Sequence, residues 1–206
     1  MKFVSNKFNE ASKVGTTIYS HPAGYRNVFF SKKGFFRDRY YLKFPEIYYC
    51  FAYKQSENLN FSLDYLALTF FDSRKHYFVP LPNFYLNSKI CLGFDCDPLI
   101  MCSKNLDTLC HNVASFFWSS QFDIYEFYGL CRNFCAEKLF PPPTFNGKFD
   151  ECCDNSLYND GIAASYSQYL DLWEKGKANI FLYKGFSFDK WMYLVTQDAR
   201  YWEYNL

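Results

Sequence analysis

Pro80 and Pro82 lie two residues apart in the run Val79-Pro80-Leu81-Pro82-Asn83. Each proline lacks an N–H donor, locks its own φ and pushes the residue before it into extended backbone. Neither a helix nor a central strand can run through this point, so the chain crosses it as a fixed extended loop up to Asn83. The fold must be assembled from two stretches of different character on either side.

The stretch before the prolines is β-prone. Thr16–Tyr19 and Asn27–Phe30 are short β-forming runs separated by His-Pro-Ala-Gly, a turn signal. Ile47–Tyr53 is a continuous apolar and aromatic run, the pattern of a central strand, and Tyr65–Phe71 is a second. The polar link from Lys54 to Asp64 joins them, and the set reads as an antiparallel meander.

Helical spacing dominates after the prolines. Leu106, Leu109, Cys110, Val113 and Phe117 share one face, with Asn105 as N-cap. Asp123 and Glu126 form a capping-box pattern that opens a helix through Ile124, Phe127, Tyr128, Cys131, Phe134 and Cys135, ended by Pro141-Pro142-Pro143. Ile162, Tyr166, Tyr169, Leu170 and Trp173 make a third stripe, with Asp160 as cap and Gly176 as stop. Residues 178–206 are aromatic-rich and carry no clear period.

Length and composition bound the rest. A chain of 206 residues, half of them hydrophobic, buries roughly 70% of its extended surface and needs no disulfides to hold a core. Charged residues make up 21%, 22 basic against 21 acidic, which excludes a disordered chain and a polybasic arm. The charge is uneven, with its densest basic stretch at Lys32, Lys33, Arg37, Arg39 and Lys43; we read this as a solvated loop or a docking patch for an acidic partner. The start, MKFVSNKFNEASK, lacks the apolar run of a secretory signal. The longest stretch free of Asp, Glu, Lys and Arg, Thr108–Phe122, is too polar to span a bilayer. A soluble, cytoplasmic protein is expected.

Nine cysteines, an odd number without a signal peptide, argue against a disulfide framework. No Cys-x-x-Cys pair is present and histidines number three, so neither a metal site nor a cofactor is expected. Most of the thiols read as small buried hydrophobes.

One segment carries more specific information. Asn83 follows Pro82 directly and stands eight residues before Cys91, which lies inside Ile90-Cys91-Leu92 and is followed by Gly93. In this the sequence resembles the ubiquitin-conjugating (UBC-like) fold, in which a His-Pro-Asn motif precedes the acceptor cysteine by the same spacing; here Leu81 replaces the histidine. It is similar in particular to the prokaryotic branch called family D, which includes protein B of the PRTRC plasmid cassette and also lacks that histidine. Phe117-Trp118-Ser119-Ser120-Gln121-Phe122 matches the Phe-Trp-x-Ser-x-Phe of that branch, and Phe44–Ile47 and Tyr65–Leu68 stand where it has strands. The similarity covers about residues 40–122.

The resemblance implies an α+β fold: a UBC-like antiparallel meander followed by helices over residues 1–140, with a helical, aromatic-rich extension over 141–206 packed on it. It also implies a carrier that accepts a ubiquitin-like modifier as a thioester on Cys91 from a ThiF/E1-like activating enzyme. Thiolate is the nucleophile, so Cys91 must be accessible. Asn83 would orient the loop or donate to the tetrahedral oxyanion. Asp95 and Asp97 would oppose a thiolate if close in space, and Cys96 is a rival thiol. His76 and His111 lack motif support and read as structural.

Two other functions compete. A catalytically inactive UBC-like scaffold, or an assembly component of a phage or plasmid system, would use the aromatic load to bury surface against protein partners. Nucleic-acid binding, through stacking aromatics and Lys32–Lys43, is opposed by a net charge of +1 and the lack of a recognisable motif. A membrane partner is not expected.

Overall fold

The computed structural model describes residues 1–30, 37–84, 88–90, 92, 100–122, 166–181 and 184–196. The expected helix opened by Asp123 and Glu126, its Pro141–Pro143 stop, and Asp160 and Ile162 lie outside these residues, as do Lys32 and Lys33. The chain is mixed α+β, with mostly antiparallel sheets and three helices among the described residues.

The first sheet holds β1 (Lys2–Asn9), β2 (Val14–His21), β5 (Glu46–Gln55), β6 (Phe61–Asp72) and β7 (Lys75–Tyr77) in the order β1-β2-β5-β6-β7, with β8 (Cys102–Ser103) also on β6. The second holds β4 (Arg39–Phe44), β3 (Gly24–Phe30) and β9 (Gln121–Phe122) in that order. β5 lies between β2 and β6, as its continuous apolar run implies, since a strand covered on both faces has no polar side.

The meander differs from the simple consecutive form. The β3–β4 hairpin leaves the first sheet, and β2 pairs with β5 instead of β3. Pro22, directly after β2, removes a ladder donor. The hairpin then swings over the core, burying Val28, Phe30, Tyr40, Leu42 and Phe44. Part of the stretch read as a solvated basic loop is thus strand β4, whose residues alternate strictly between exposed and buried. β1, from a polar stretch that gave no strand signal, is held by its antiparallel pairing with β2.

One face of the first sheet carries Tyr19, Tyr49, Phe51, Leu66, Leu68 and Phe70 into the main core. Helix α1 (Leu106–Ser119) covers it with Leu109, Cys110, Val113, Ala114 and Phe117. Asn105 caps α1 as expected, its side chain accepting from the Thr108 N–H at 2.9 Å. Trp118 donates through its indole N–H to the Tyr49 hydroxyl at 2.8 Å, fixing the end of α1 on β5. Helix α2, described over residues 166–174, adds Tyr166, Tyr169, Leu170 and Trp173 to the same core. It ends at Gly176, whose φ of +68° suits a residue without Cβ, and the Gly176 and Lys177 N–H groups satisfy the carbonyls of Trp173 and Leu172.

The opposite face of the sheet is lined by Ile18, Cys50 and Ala67, which stand side by side across β2, β5 and β6. These short side chains leave a seat for Trp191 and Val195 of α3 (Phe188–Thr196). A fully buried Trp removes on the order of 200 Å² from water, about 5 kcal/mol of transfer free energy. A backbone bridge aims this helix: His76 and Phe186 exchange both N–H···O bonds, at 2.8 and 2.9 Å. Ser187 then accepts from the Lys190 N–H at 3.2 Å at the start of α3.

Among the described residues, no helix is long and apolar enough to cross a membrane, and no group of three or more His, Cys, Asp or Glu side chains could hold a metal ion.

Candidate functional site

The loop with the two prolines is anchored from three directions. Val79, Leu81 and Phe84 are buried in the main core. Phe84 meets Phe117 of α1 edge to face at 5.9 Å. The Pro80 carbonyl accepts from the Tyr166 hydroxyl of α2 at 2.5 Å. Leu81 is wholly buried, so its side chain contributes packing.

Residues 88–90 return along the edge of β6. Leu68 donates its N–H to the Ser88 carbonyl at 3.0 Å, Ile90 donates to the Leu66 carbonyl at 2.8 Å, and Lys89 bridges Ala67. β8, this short segment and β7 thus share one edge of β6. Phe84 and Ile90 form a further antiparallel bridge. The Lys89 ammonium lies 4.2 Å from the Tyr65 ring centroid. Burial pushes the Tyr65 phenol above its usual range, with smaller contributions from Cys50 and Asp64.

Asn83 is inside this loop. Its backbone is left-handed, φ +68°, which asparagine tolerates better than most residues. The side chain is 9% exposed, and its Oδ1 is buried without a hydrogen-bond partner. Ser88 repeats the pattern, with φ +67° and a buried, unpartnered Oγ. A buried polar atom left unpaired costs about 1–3 kcal/mol, a cost that Arg26 Nε, Tyr40 Oη and Trp191 Nε1 also carry elsewhere in the chain. Cys91, Gly93, Asp95, Cys96 and Asp97 lie outside the described residues.

His76 and His111, read as structural from the sequence, are both engaged in hydrogen bonds away from this loop. His76 is buried, its Nδ1 2.9 Å from the Thr69 hydroxyl, and it stacks on Trp191 at 5.1 Å between centroids. Burial pulls its pKa down to about 4, so the ring is neutral at physiological pH. His111 has Nδ1 2.8 Å from the Asp107 carbonyl, one turn back on α1. Cys50 and Cys110 are buried thiols whose pKa values burial pushes up to about 12, which matches the expected packing role.

The basic stretch has an internal partner. Arg37 pairs with Asp171 and Glu174 of α2, each at 2.8 Å, and lies over the Tyr40 ring. Arg37, within the stretch read as a solvated loop or a docking patch, is thus met by acidic groups of the chain's own helix. Sequence reading also missed the Tyr19 hydroxyl bonded to the Asp107 carboxylate, the Tyr166–Pro80 bond and the capping of β4 by α2. No local pattern signals such contacts; the alternation of Arg39–Phe44 was the one usable sign of β4.

No protein-family model matches the chain, and neither does any curated protein or solved structure.

Proposed function

We propose that this chain is a UBC-like conjugating protein that accepts a ubiquitin-like modifier on Cys91 from a ThiF/E1-like enzyme, in the manner of family D and the PRTRC protein B cassette. The observation that carries the reading is the Phe84–Ile90 bridge: the residue after Asn83 and the residue before Cys91 are paired. This bridge, with Lys89 bridged to Ala67 of β6, supports reading the Pro-Asn…Cys spacing of the sequence as one motif. The antiparallel sheet before the motif and helix α1 after it have the order such a carrier needs.

In the loading step the Cys91 thiolate attacks the thioester carbonyl of the charged activating enzyme. A new C–S bond forms, the old one breaks, and the activating enzyme's cysteine leaves as thiolate. Asn83 is suited to this step because its carboxamide does not titrate and its Nδ2 amide can donate to an oxyanion, which the acceptor Oδ1 cannot. Held in a buried loop, it would meet the tetrahedral oxyanion with little reorganisation.

The test uses protein from its native host beside a Cys91→Ser variant, on reducing and non-reducing gels. The expected result is a wild-type adduct that reductant removes and that becomes reductant-resistant in Cys91→Ser, because an oxygen ester survives thiols. No adduct, together with a Cys91 that a thiol reagent does not modify in the folded protein, would overturn the reading and leave a binding scaffold.

A further inference from the structure

The outward face of the β3–β4 hairpin is built from alternating aromatics and cations. Register places Tyr25 opposite Lys43, Asn27 opposite Tyr41 and Phe29 opposite Arg39, so these six side chains share one face. Their neighbours in sequence, Val28, Phe30, Tyr40, Leu42 and Phe44, point into the core. Tyr25 and Tyr41 stack nearly parallel, 5.0 Å between centroids and 16° between planes, yet remain 54% and 51% exposed. Two large rings ordered against each other in solvent give up hydration without being buried. A stacking partner is what would complete them.

The charges narrow the class of partner. The acidic groups of α2 nearest this hairpin are already engaged: Asp171 and Glu174 hold Arg37, and Glu174 also accepts from the Tyr41 N–H at 2.8 Å. Among the described residues, neither Arg39 nor Lys43 has a carboxylate at ion-pair distance. Arg39 is oriented across the face, its Nε 2.8 Å from Asn27 Oδ1 and its guanidinium carbon 6.0 Å from the Phe29 ring centroid. Each cation thus stands directly across the ladder from a ring.

From this geometry we infer that the β3–β4 face binds single-stranded nucleic acid, with bases continuing the Tyr25–Tyr41 stack and phosphates meeting Lys43 and Arg39. Aromatics on an open sheet face stack unpaired bases, while a duplex hides those surfaces. A neutral sugar would leave the two cations without a role. The whole-chain charge of +1 does not bear against this, since electrostatic attraction acts over about a Debye length, roughly 10 Å at 0.1 M salt.

The test is fluorescence anisotropy of the full chain with labelled oligo(dT) and oligo(rU) of about 12 nucleotides, between about 50 and 200 mM salt. Saturable binding is expected, with a log–log salt slope of about −1.4 for two phosphate contacts. Tyr41→Ala should weaken it at least ~5-fold with the slope unchanged, while Tyr41→Phe keeps it. Lys43→Ala, which removes no ring, should reduce the slope to about −0.7. Tyr193→Ala, an exposed ring on α3, is the control. A preference for one oligonucleotide would show whether the 2′-hydroxyl is read. Failure of both to saturate, equal affinity for duplex, or wild-type affinity in the Tyr41→Ala and Lys43→Ala variants would overturn the proposal.

Discussion

The indole N–H of Trp173 on α2 donates to the main-chain carbonyl of Lys43 on β4 at 2.8 Å. One residue further along α2, Glu174 accepts from the Tyr41 N–H at 2.8 Å. Together the two side chains occupy an acceptor and a donor on the outer edge of β4, which no other described strand pairs. A bare strand edge invites pairing with other chains, so α2 protects the hairpin as well as packing on it.

This capping predicts a graded response at Trp173. Trp173→Phe keeps much of the packing against Phe44 and Phe70 but removes the donor. It should cost about 1–2 kcal/mol in urea unfolding. Trp173→Ala also opens a cavity and should cost about 3–5 kcal/mol. Equal losses in the two variants would show that the hydrogen bond alone matters here, and no loss in Trp173→Phe would show that packing alone does.

Stability should fall as His76 is forced to protonate. Its folded pKa lies near 4, below the ordinary 6.5, because burial disfavours the charged ring. Between those values the unfolded chain binds the extra proton, so stability rises with pH across this window and levels off above 6.5. The full effect is about 3 kcal/mol. Denaturant titrations from pH 4 to 7 should show this limb in the wild type and a flatter one in His76→Phe. Glu174, held below its usual carboxylate range first by the Tyr41 N–H, loses its contribution only at lower pH.

Gly15 should not accept a methyl group. It stands between Phe8 and Tyr53 in the register of β1, β2 and β5, and those rings stack across it 6.0 Å apart. A Cβ there would lie 2.4 Å from the Tyr53 ring and 2.9 Å from that of Phe8. Gly15→Ala should therefore destabilise by about 1–3 kcal/mol, as overpacking does. Adding Tyr53→Leu should recover part of the loss, measured as a double-mutant cycle.

Thiol labelling should sort the cysteines by burial. Cys50 and Cys110 should resist iodoacetamide in the folded protein, since both are buried and hold their protons to about pH 12. Exposed Cys102 should react. Peptide mapping after a short pulse, with and without denaturant, reads each site separately.

Much of the frame was legible where local physics decides it. Asn105 caps α1 and Gly176 stops α2 because each acts on backbone groups within a few residues. Ile47–Tyr53 lies in a central strand because it has no polar side to expose. Polar β1 and α3 were missed for the opposite reason. β1 is an exposed edge strand that exists through its ladder with β2. α3 needs a seat made by Ile18, Cys50 and Ala67, far away in the chain. At the candidate site, the spacing from Asn83 to Cys91 was visible in the sequence. The bridge between Phe84 and Ile90, and the unpaired Asn83 oxygen, depend on the rest of the molecule.

The sequence by itself determined where backbone could not be regular, where α1 begins and α2 ends, and which strand needed covering on both faces. These follow from proline sterics, capping and side-chain periodicity, all short-ranged. Only the tertiary structure decided that β3 and β4 leave the first sheet, that Arg37 is met by α2, and that Tyr25 and Tyr41 are left stacked in solvent. Those outcomes rest on competition among many aromatic surfaces of similar hydrophobicity. Burial free energy is nearly non-directional, so which rings meet is settled by backbone pairing across the whole chain.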